Sequence, residues 1–222
     1  AGVALGDVVA EVEKLLADYP APDGVDLEVG GTVEDQGDAF GDLGTLLILI
    51  VILVYIVMAT QFESLKFPFI IMFTIPFAFT GVFLALWMTS TPLSLIALIG
   101  AIMLVGIVTK NGIVMVDYMN LLIERGSGVF DAVIAGGKSR LRPVLMTSCT
   151  TILGMLPLAI GTGAGSETWQ PMGIAVIGGL TFSTILTLFI VPVLYSILVN
   201  RSQRKEREKL ARLSAEHQAS KH

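Results

Sequence analysis

The sequence predicts an all-α polytopic membrane bundle of five transmembrane helices, with a short α+β remnant at its N-terminus. Of the 222 residues, 54% are apolar and only 15% are charged, and most of the charge lies in the first 43 and the last 22 residues. Between these polar ends, five segments are apolar and long enough to cross a bilayer. We therefore divide the chain into an external region at residues 1–43, a five-helix membrane domain at 44–200 and a charged tail at 201–222.

The external region predicts one helix and one strand. Apolar residues repeat at helical spacing from Val8 to Leu16, and apolar and polar residues alternate from Val25 to Val29. One helix and one strand bury too little apolar surface to fold alone. We interpret them as the last elements of a domain whose other parts lie upstream; a linker hairpin is the alternative.

Five membrane helices are predicted to follow. They are Gly44 to Thr60, Pro68 to Met88, Leu93 to about Tyr118, Pro143 to Gly161 and Met172 to Val199. Small residues at Gly100, Gly106 and Gly178–Gly179 predict close contacts between helices. Between the third and fourth spans, Phe130 to Gly137 predicts a short helix at the membrane interface. The mixed-charge tail after Asn200 predicts a helical continuation of the last span.

The basic residues predict the orientation, because lysine and arginine accumulate on the cytoplasmic side. One basic residue, Lys14, lies on the side of the N-terminus, and twelve lie on the opposite side. The N-terminus is therefore predicted outside and the C-terminus in the cytoplasm. Residues 1–43 carry eleven of the nineteen carboxylates, and no signal peptide precedes them. We expect the chain to be the C-terminal part of a longer polypeptide; a cleaved leader is the alternative.

Lys110 is the only basic residue inside any predicted span. An ammonium group within the membrane costs several kcal/mol unless it is paired, so Lys110 predicts a functional ion site. The alternative is a side chain that snorkels to the headgroups. Asp117 lies about 10 Å away on the same helix, and Glu63 and Glu124 lie near the surface. We therefore expect the counter-charge of Lys110 to come from another chain or from a missing segment.

Further polar residues accompany Lys110. Residues seven apart share a helix face, which aligns Arg140 with Thr147 in the fourth span. The amide of Asn111 can donate and accept hydrogen bonds. Thr147 and Ser148 either belong to a hydrated polar path or bond their own backbone carbonyls. Neither the single cysteine nor the two histidines predict a metal site, a cofactor or a catalytic centre, and no nucleophile–base pair is present.

Five motifs occur in a fixed order along the chain. They are ATQFESLKFP at residues 59–68, GIVTKNGIV at 106–114, RLRPVLMTS at 140–148, LGMLPLA at 153–159 with GTGAGSE at 161–167, and VPVLY at 191–195. From about Phe40 to Arg204, the chain resembles the C-terminal membrane half of the resistance-nodulation-division transporters. Within that superfamily it is similar to the hydrophobe/amphiphile multidrug efflux pumps of the bacterial inner membrane.

This resemblance implies a homotrimeric pump with twelve spans in two halves, of which the present chain supplies spans eight to twelve. Residues 1–43 would then end a periplasmic pore-type domain. Expected partners are the N-terminal half, a periplasmic adaptor, an outer-membrane channel, protons and hydrophobic or amphiphilic drugs, with no nucleic acid. The resemblance implies a proton relay that includes Lys110, Thr147 and Arg140, with Asn111 beside it, and aspartates from the other half as partners of Lys110. The implied activity is proton antiport, which is secondary transport and needs no cofactor.

Two alternatives to a multidrug pump stay open. The heavy-metal branch of the same superfamily is one, although the nine methionines of the chain are scattered rather than arranged as a path for soft cations. The other is a truncated subunit that does not transport and instead partners or regulates a full-length pump. The missing carboxylate partners of Lys110 favour this second alternative if the chain is complete.

Overall fold

The computed structural model describes Val8, Glu11–Val12, Lys14–Leu16, residues 32–161 and residues 165–219. The described residues between Val8 and Leu16 are helical, as their spacing predicts. The predicted strand at Val25 to Val29 lies outside the described residues. Within the described part of the chain every regular element is a helix.

Six helices follow the external region. They are α1 (Thr32–Phe62), α2 (Lys66–Met72), α3 (Thr74–Met88), α4 (Leu95–Glu124), α5 (Val129–Ile160) and α6 (Ser166–Ala219). Because α2 and α3 together form one span, the helices make five segments long and apolar enough to cross a membrane. The predicted fold class is therefore confirmed for the membrane part. The tail is confirmed as a continuation of the last span, since α6 extends to Ala219.

The second span is interrupted at Phe73, between α2 and α3. Proline has no backbone N–H, so Pro76 cannot donate to the carbonyl of Met72, which lies one turn earlier. Next to this site, the Thr74 hydroxyl donates to the carbonyl of Ile71 at 2.6 Å. The irregularity is small, and the span continues across the membrane.

Helix α6 lies at the centre of the bundle and packs against α3, α4 and α5. Two apolar clusters surround it. The first contains Val82, Leu104 and Leu180, and the second contains Met115 and Tyr195. The clusters lie one after the other along α6, so a single helix organises the core from one end of the bundle to the other.

Glycines bring α6 into close contact with its neighbours. A Cβ atom on Gly178 would lie 2.1 Å from the Cβ of Ala85 in α3, and one on Gly179 would lie 2.1 Å from a methyl carbon of Leu104 in α4. A Cβ atom on Gly100 would lie 3.0 Å from Met172 of α6, so the predicted close contacts at Gly100 and at Gly178–Gly179 are confirmed. No other part of the described chain comes within 4 Å of a Cβ position on Gly106, so this glycine makes no such contact here.

The predicted separate interfacial helix at Phe130 to Gly137 is wrong. The structure has one continuous helix, α5, from Val129 to Ile160. Ala132 and Gly136 are buried, and a Cβ atom on Gly136 would lie 2.6 Å from the side chain of Met119. This segment therefore packs against α4 as the first part of α5.

The glycine contacts predict that Gly178→Ala destabilises the bundle by about 1–3 kcal/mol, the usual range for overpacking. The new methyl group would meet Ala85 and, at 2.9 Å, the backbone oxygen of Gly81, so that α3 and α6 must move apart. Gly154→Ala is the matched control, because nothing lies within 4 Å of that position. The measurement is the free energy of unfolding of each purified variant in detergent. Equal values for the two variants would contradict the close contact.

Candidate functional site

Lys110 lies near the middle of α4, on the face that this chain leaves exposed. Met103, Gly106, Lys110 and Asp117 follow one another at intervals of three, four and seven residues and are all exposed, so they form one stripe along the helix. We call these four residues the Lys110 stripe. Residues of the opposite face, such as Leu104, are buried. The packing of α4 thus directs the Lys110 stripe away from the core.

Lys110 has no hydrogen bond or ion pair with any residue in the described part of the chain. Its neighbour Thr109 faces the core, is 3% exposed and donates its hydroxyl hydrogen to the carbonyl of Val105 at 2.8 Å. Consecutive residues of one helix therefore have opposite environments. Asn111, on the other side of Lys110, is half-buried.

Arg140 lies on α5 and contacts α4 through an aromatic ring. Its guanidinium carbon lies 4.6 Å from the centre of the Tyr118 ring, a distance at which a cation is attracted to the ring face. The Nε atom of Arg140 is buried and has no hydrogen-bond partner in the described part of the chain. Arg140 is thus held at the end of α4 where Asp117 is exposed, without an ion pair to that carboxylate among the described residues.

The depth of Thr147 follows from the Arg140–Tyr118 contact. Thr147 lies seven residues after Arg140 on α5, and Lys110 lies eight residues before Tyr118 on the antiparallel helix α4. Both are therefore about 10–12 Å deeper than that contact, at the rise of an α-helix. The structure places Lys110, Asn111 and Thr147 at one level and Arg140 near one end. It does not bring Arg140 into contact with Lys110.

The hydroxyl groups of Thr147 and Ser148 have different partners. Thr147 is exposed and donates to its own helix, with the Pro143 and Val144 carbonyls at 3.1 and 3.0 Å. Ser148 is buried, and its oxygen lies 2.9 Å from the hydroxyl oxygen of Thr184 on α6. Of the two, Ser148 makes the contact between helices. Sequence reasoning left Ser148 undecided and did not identify Thr184 at all.

A second polar contact between helices was also missed from the sequence. The Tyr195 hydroxyl of α6 donates to the side-chain oxygen of Asn120 in α4 at 2.5 Å. The Tyr195 ring is fully buried and stacks on Phe67 of α2, with the ring centres 5.6 Å apart. The position of Tyr195 in the VPVLY motif was a signal of importance, but it gave no partner. These contacts join α2, α4 and α6 at the end of the bundle nearest Arg140.

Comparison with known proteins identifies the family of this chain. Residues 1–199 match the AcrB/AcrD/AcrF family. The chain belongs to that family of resistance-nodulation-division efflux transporters. Its members are transporters rather than enzymes, and the five apolar helices agree with a multi-pass protein of the inner membrane.

Three relatives of this chain are named for different functions. The chain is 37% identical to the swarming motility protein SwrC of Bacillus subtilis over 199 residues, which is 89% of this chain and 19% of SwrC. It is 37% identical to the cobalt-zinc-cadmium resistance protein CzcA of Cupriavidus metallidurans, covering 91% of this chain and 19% of CzcA. The multidrug resistance protein MdtC of Erwinia tasmaniensis is 37% identical, over 93% of this chain and 20% of MdtC.

Solved structures agree with this placement. A crystal structure of a heavy metal efflux pump superposes with a TM-score of 0.78 at 30% identity, covering 90% of this chain and 20% of that one. The chain therefore spans about one fifth of the length of the relatives it matches. The chain is 37% identical both to the relative named for multidrug resistance and to the relative named for metal resistance. Sequence identity therefore does not distinguish a drug transporter from a metal transporter.

The Ser148–Thr184 contact predicts a measurable coupling between α5 and α6. Ser148→Ala and Thr184→Val, made singly and together, should show an interaction energy of about 0.6 kcal/mol, and up to about 1.7, as for other hydrogen bonds between membrane helices. In a control set of variants, Thr150→Ala is combined with Thr184→Val in place of Ser148→Ala, because Thr150 is exposed and bonds its own backbone. The measurement is the free energy of unfolding in detergent, and strictly additive effects for Ser148 and Thr184 would contradict the contact.

Proposed function

We propose that this chain is part of a proton-driven efflux transporter of hydrophobic or amphiphilic compounds, with Lys110 as the cation of its coupling site. The observation that carries the proposal is an exposed lysine in mid-span, without a partner in the described part of the chain. Charged side chains within a membrane face the interior of a bundle or a hydrated cavity and pair with other charges. The Lys110 stripe is therefore a surface that another part of the pump covers.

The partner we propose is the N-terminal half of the same pump, which would place carboxylates against the Lys110 stripe. That the chain spans only about a fifth of its relatives supports a partner outside it. While those carboxylates are ionised, Coulomb attraction in a low-dielectric site holds them to Lys110. Protonation of one carboxylate weakens that attraction, and the helices then re-pack. Proton entry would in this way drive rocking of one half of the bundle against the other.

The path of the proton in this proposal starts at Arg140 and passes Thr147 to reach Lys110. Arg140 lies near the end of the bundle where the connectors carry the basic residues, which is the cytoplasmic side in the proposed topology. The roughly 12 Å of helix rise between the Arg140–Tyr118 contact and Lys110 exceeds a hydrogen bond, so water must connect Arg140 with Lys110. Thr147 and Asn111 lie at the level of Lys110 and can bond such water. By family resemblance, we propose a trimer that works with a periplasmic adaptor and an outer-membrane channel.

A second candidate substrate class is metal ions. It is favoured by the relative named for cobalt, zinc and cadmium and by the likeness to a heavy metal efflux pump. Met58, Met115 and Met119 lie in one apolar cluster of this chain, each 1% exposed or less. Such burial is typical of core packing. Among the described residues, no three histidine, cysteine or acidic side chains lie close enough together to hold a metal ion. Hydrophobic or amphiphilic substrates therefore stand first.

Lys110→Met in the intact pump should abolish export while leaving folding and assembly intact. The carboxylates would lose the cation to which they are attracted, so their protonation could no longer change that attraction. The measurement is the drug tolerance of cells that otherwise lack export, together with substrate-dependent proton flux in proteoliposomes. Lys138→Met, the same change at an exposed lysine outside the coupling site, is the control and should behave as the parent. Unchanged export by the Lys110 variant would contradict the role of Lys110. Parallel growth on cobalt, zinc and cadmium salts tests the substrate class, since Lys110-dependent tolerance to metals alone would favour the second candidate.

Thr147→Ala should reduce export less than Lys110→Met does, because water can replace a hydroxyl group in a hydrated path. Thr150→Ala is the matched control. Thr150 lies about one turn closer to the C-terminal end of α5 and, like Thr147, donates its hydroxyl hydrogen to a backbone carbonyl of its own helix. Drug tolerance of the two variants is compared at equal expression. A loss as severe as that of Lys110→Met would show that Thr147 does more than bond water.

A further inference from the structure

Five buried serines and threonines separate the two apolar clusters of the core. Three of them belong to α6, and on that helix they lie between Leu180 of the first cluster and Val191 of the second. The five residues, each 5% exposed or less, are Thr109 of α4, Ser148 of α5, and Ser183, Thr184 and Thr187 of α6. We call them the hydroxyl layer. The core of the bundle thus has a polar level between two apolar ones.

The hydroxyl layer lies at the depth of Lys110. Two residue pairs join α4 to α6 with the same offset of 75 in residue number, Leu104 with Gly179 and Asn120 with Tyr195. This constant register places Thr109, the neighbour of Lys110, level with Thr184. Ser148 contacts Thr184 directly, with the two hydroxyl oxygens 2.9 Å apart. The layer is therefore inside the bundle at the level at which Lys110 is exposed on its surface.

Thr187 is the member of the layer whose hydroxyl group has no partner. The residue is 2% exposed, and its hydroxyl oxygen is buried and makes no hydrogen bond within the described part of the chain. Other threonines of the spans donate to the backbone carbonyl four residues earlier, as Thr109, Thr150 and Thr181 do. Burial without a hydrogen bond is costly, and most buried polar groups bond either protein or ordered water. The Thr187 hydroxyl therefore calls for a partner that the surrounding side chains do not supply.

The neighbouring Thr184 lies within reach of Thr187 through one water molecule. Residues three apart on a helix share a face, with about 5–6 Å between their Cβ atoms. Two hydrogen bonds of about 2.8 Å that meet at one water oxygen span about 4.5–5.5 Å. A hydroxyl group has one donor and two acceptor positions, so Thr184 can bond such a water in addition to Ser148. The backbone carbonyl of Ser183, with a second lone pair, gives the water a third partner, which is the usual number for a buried water.

We propose that the hydroxyl layer binds one water molecule, which bridges Thr187 to the Ser148–Thr184 contact. The residues around this site are buried by α4, α5 and α6 of this chain, so the site does not depend on what covers the outer faces of the bundle. The bridge joins three hydroxyl groups of α5 and α6 into one network. Because Ser148 is the neighbour of Thr147, that network holds the rotation of α5 at the level of Lys110. The site goes beyond the proposed function and does not require Lys110 to take part in transport.

The first test is a structure of the intact pump in lipid by electron cryomicroscopy, at a resolution that shows ordered water. We expect density within about 3.2 Å of the hydroxyl oxygens of both Thr184 and Thr187. Thr187→Val keeps the shape of the side chain and removes the hydroxyl group, so the density should be lost. Thr181→Val is the matched control, because Thr181 is exposed on the same helix and bonds its own backbone. The density should remain in that variant. A Thr187 hydroxyl turned onto the Ser183 carbonyl, with no water density beside it, would overturn the proposal.

The second test distinguishes a bridged hydroxyl from an unpaired one by the sign of an effect. Removal of an unpaired buried hydroxyl stabilises a protein, whereas removal of a bonded one destabilises it. Amide hydrogen exchange of residues 183–191 is measured by mass spectrometry on the intact pump in detergent, since exchange reports local opening. Thr187→Val should exchange several-fold faster than the parent, and this difference should shrink when Thr184→Val is already present. Thr187→Ser keeps the hydroxyl group and should exchange like the parent. Exchange in Thr187→Val that is as slow as in the parent, or slower, would contradict the bridge; if that variant does not fold, the density in the parent decides.

Discussion

The close packing of α6 against its neighbours fixes the rotation of α4, and that rotation decides which way Lys110 faces. Gly179 admits Leu104, and Tyr195 bonds Asn120, so that α4 is held against α6 at two points along its length. With these contacts made, Thr109 lies in the core and Lys110 lies outside it. The orientation of the charge is thus a consequence of apolar packing and not of any ionic partner within the described part of the chain.

This arrangement gives the two sides of the bundle different physical characters. The side around α6 is held by backbone contacts at glycines and by polar bonds between helices, among them Ser148 to Thr184 and Tyr195 to Asn120. The side of the Lys110 stripe has an exposed glycine, an exposed lysine and no packed partner in the described residues. A rigid side and an open charged side are what a half-pump needs if it moves as one body against a partner whose carboxylates change charge. The moving surface in our proposal is therefore the Lys110 stripe, while the core of this half stays intact.

The sequence alone predicted a large part of the fold and less of the site. Runs of apolar residues predicted all five spans, and Gly100 and Gly178–Gly179 predicted close contacts that the structure confirms. The rotation of each helix was not predictable, because a helix that is apolar on every face shows no amphipathic pattern. Adjacent residues differ by about 100° around a helix. If α5 were rotated by one residue, Thr147 would take the buried position and Ser148 the exposed one. For the same reason, Thr184 and Asn120 were missed as partners. The separate helix at Phe130 to Gly137 was predicted wrongly because its basic neighbours resemble an interfacial anchor, whereas Gly136 fits against Met119.

The most direct measurement is the distance from the Nζ atom of Lys110 to the nearest carboxylate oxygen in a structure of the intact pump in lipid, determined by electron cryomicroscopy. Our account predicts a carboxylate within about 4 Å of Lys110, the separation of an ion pair, supplied by a helix outside this chain and facing the Lys110 stripe. A Lys110 side chain that reaches the headgroups, or that has no carboxylate within that distance in any state of the pump, would contradict it.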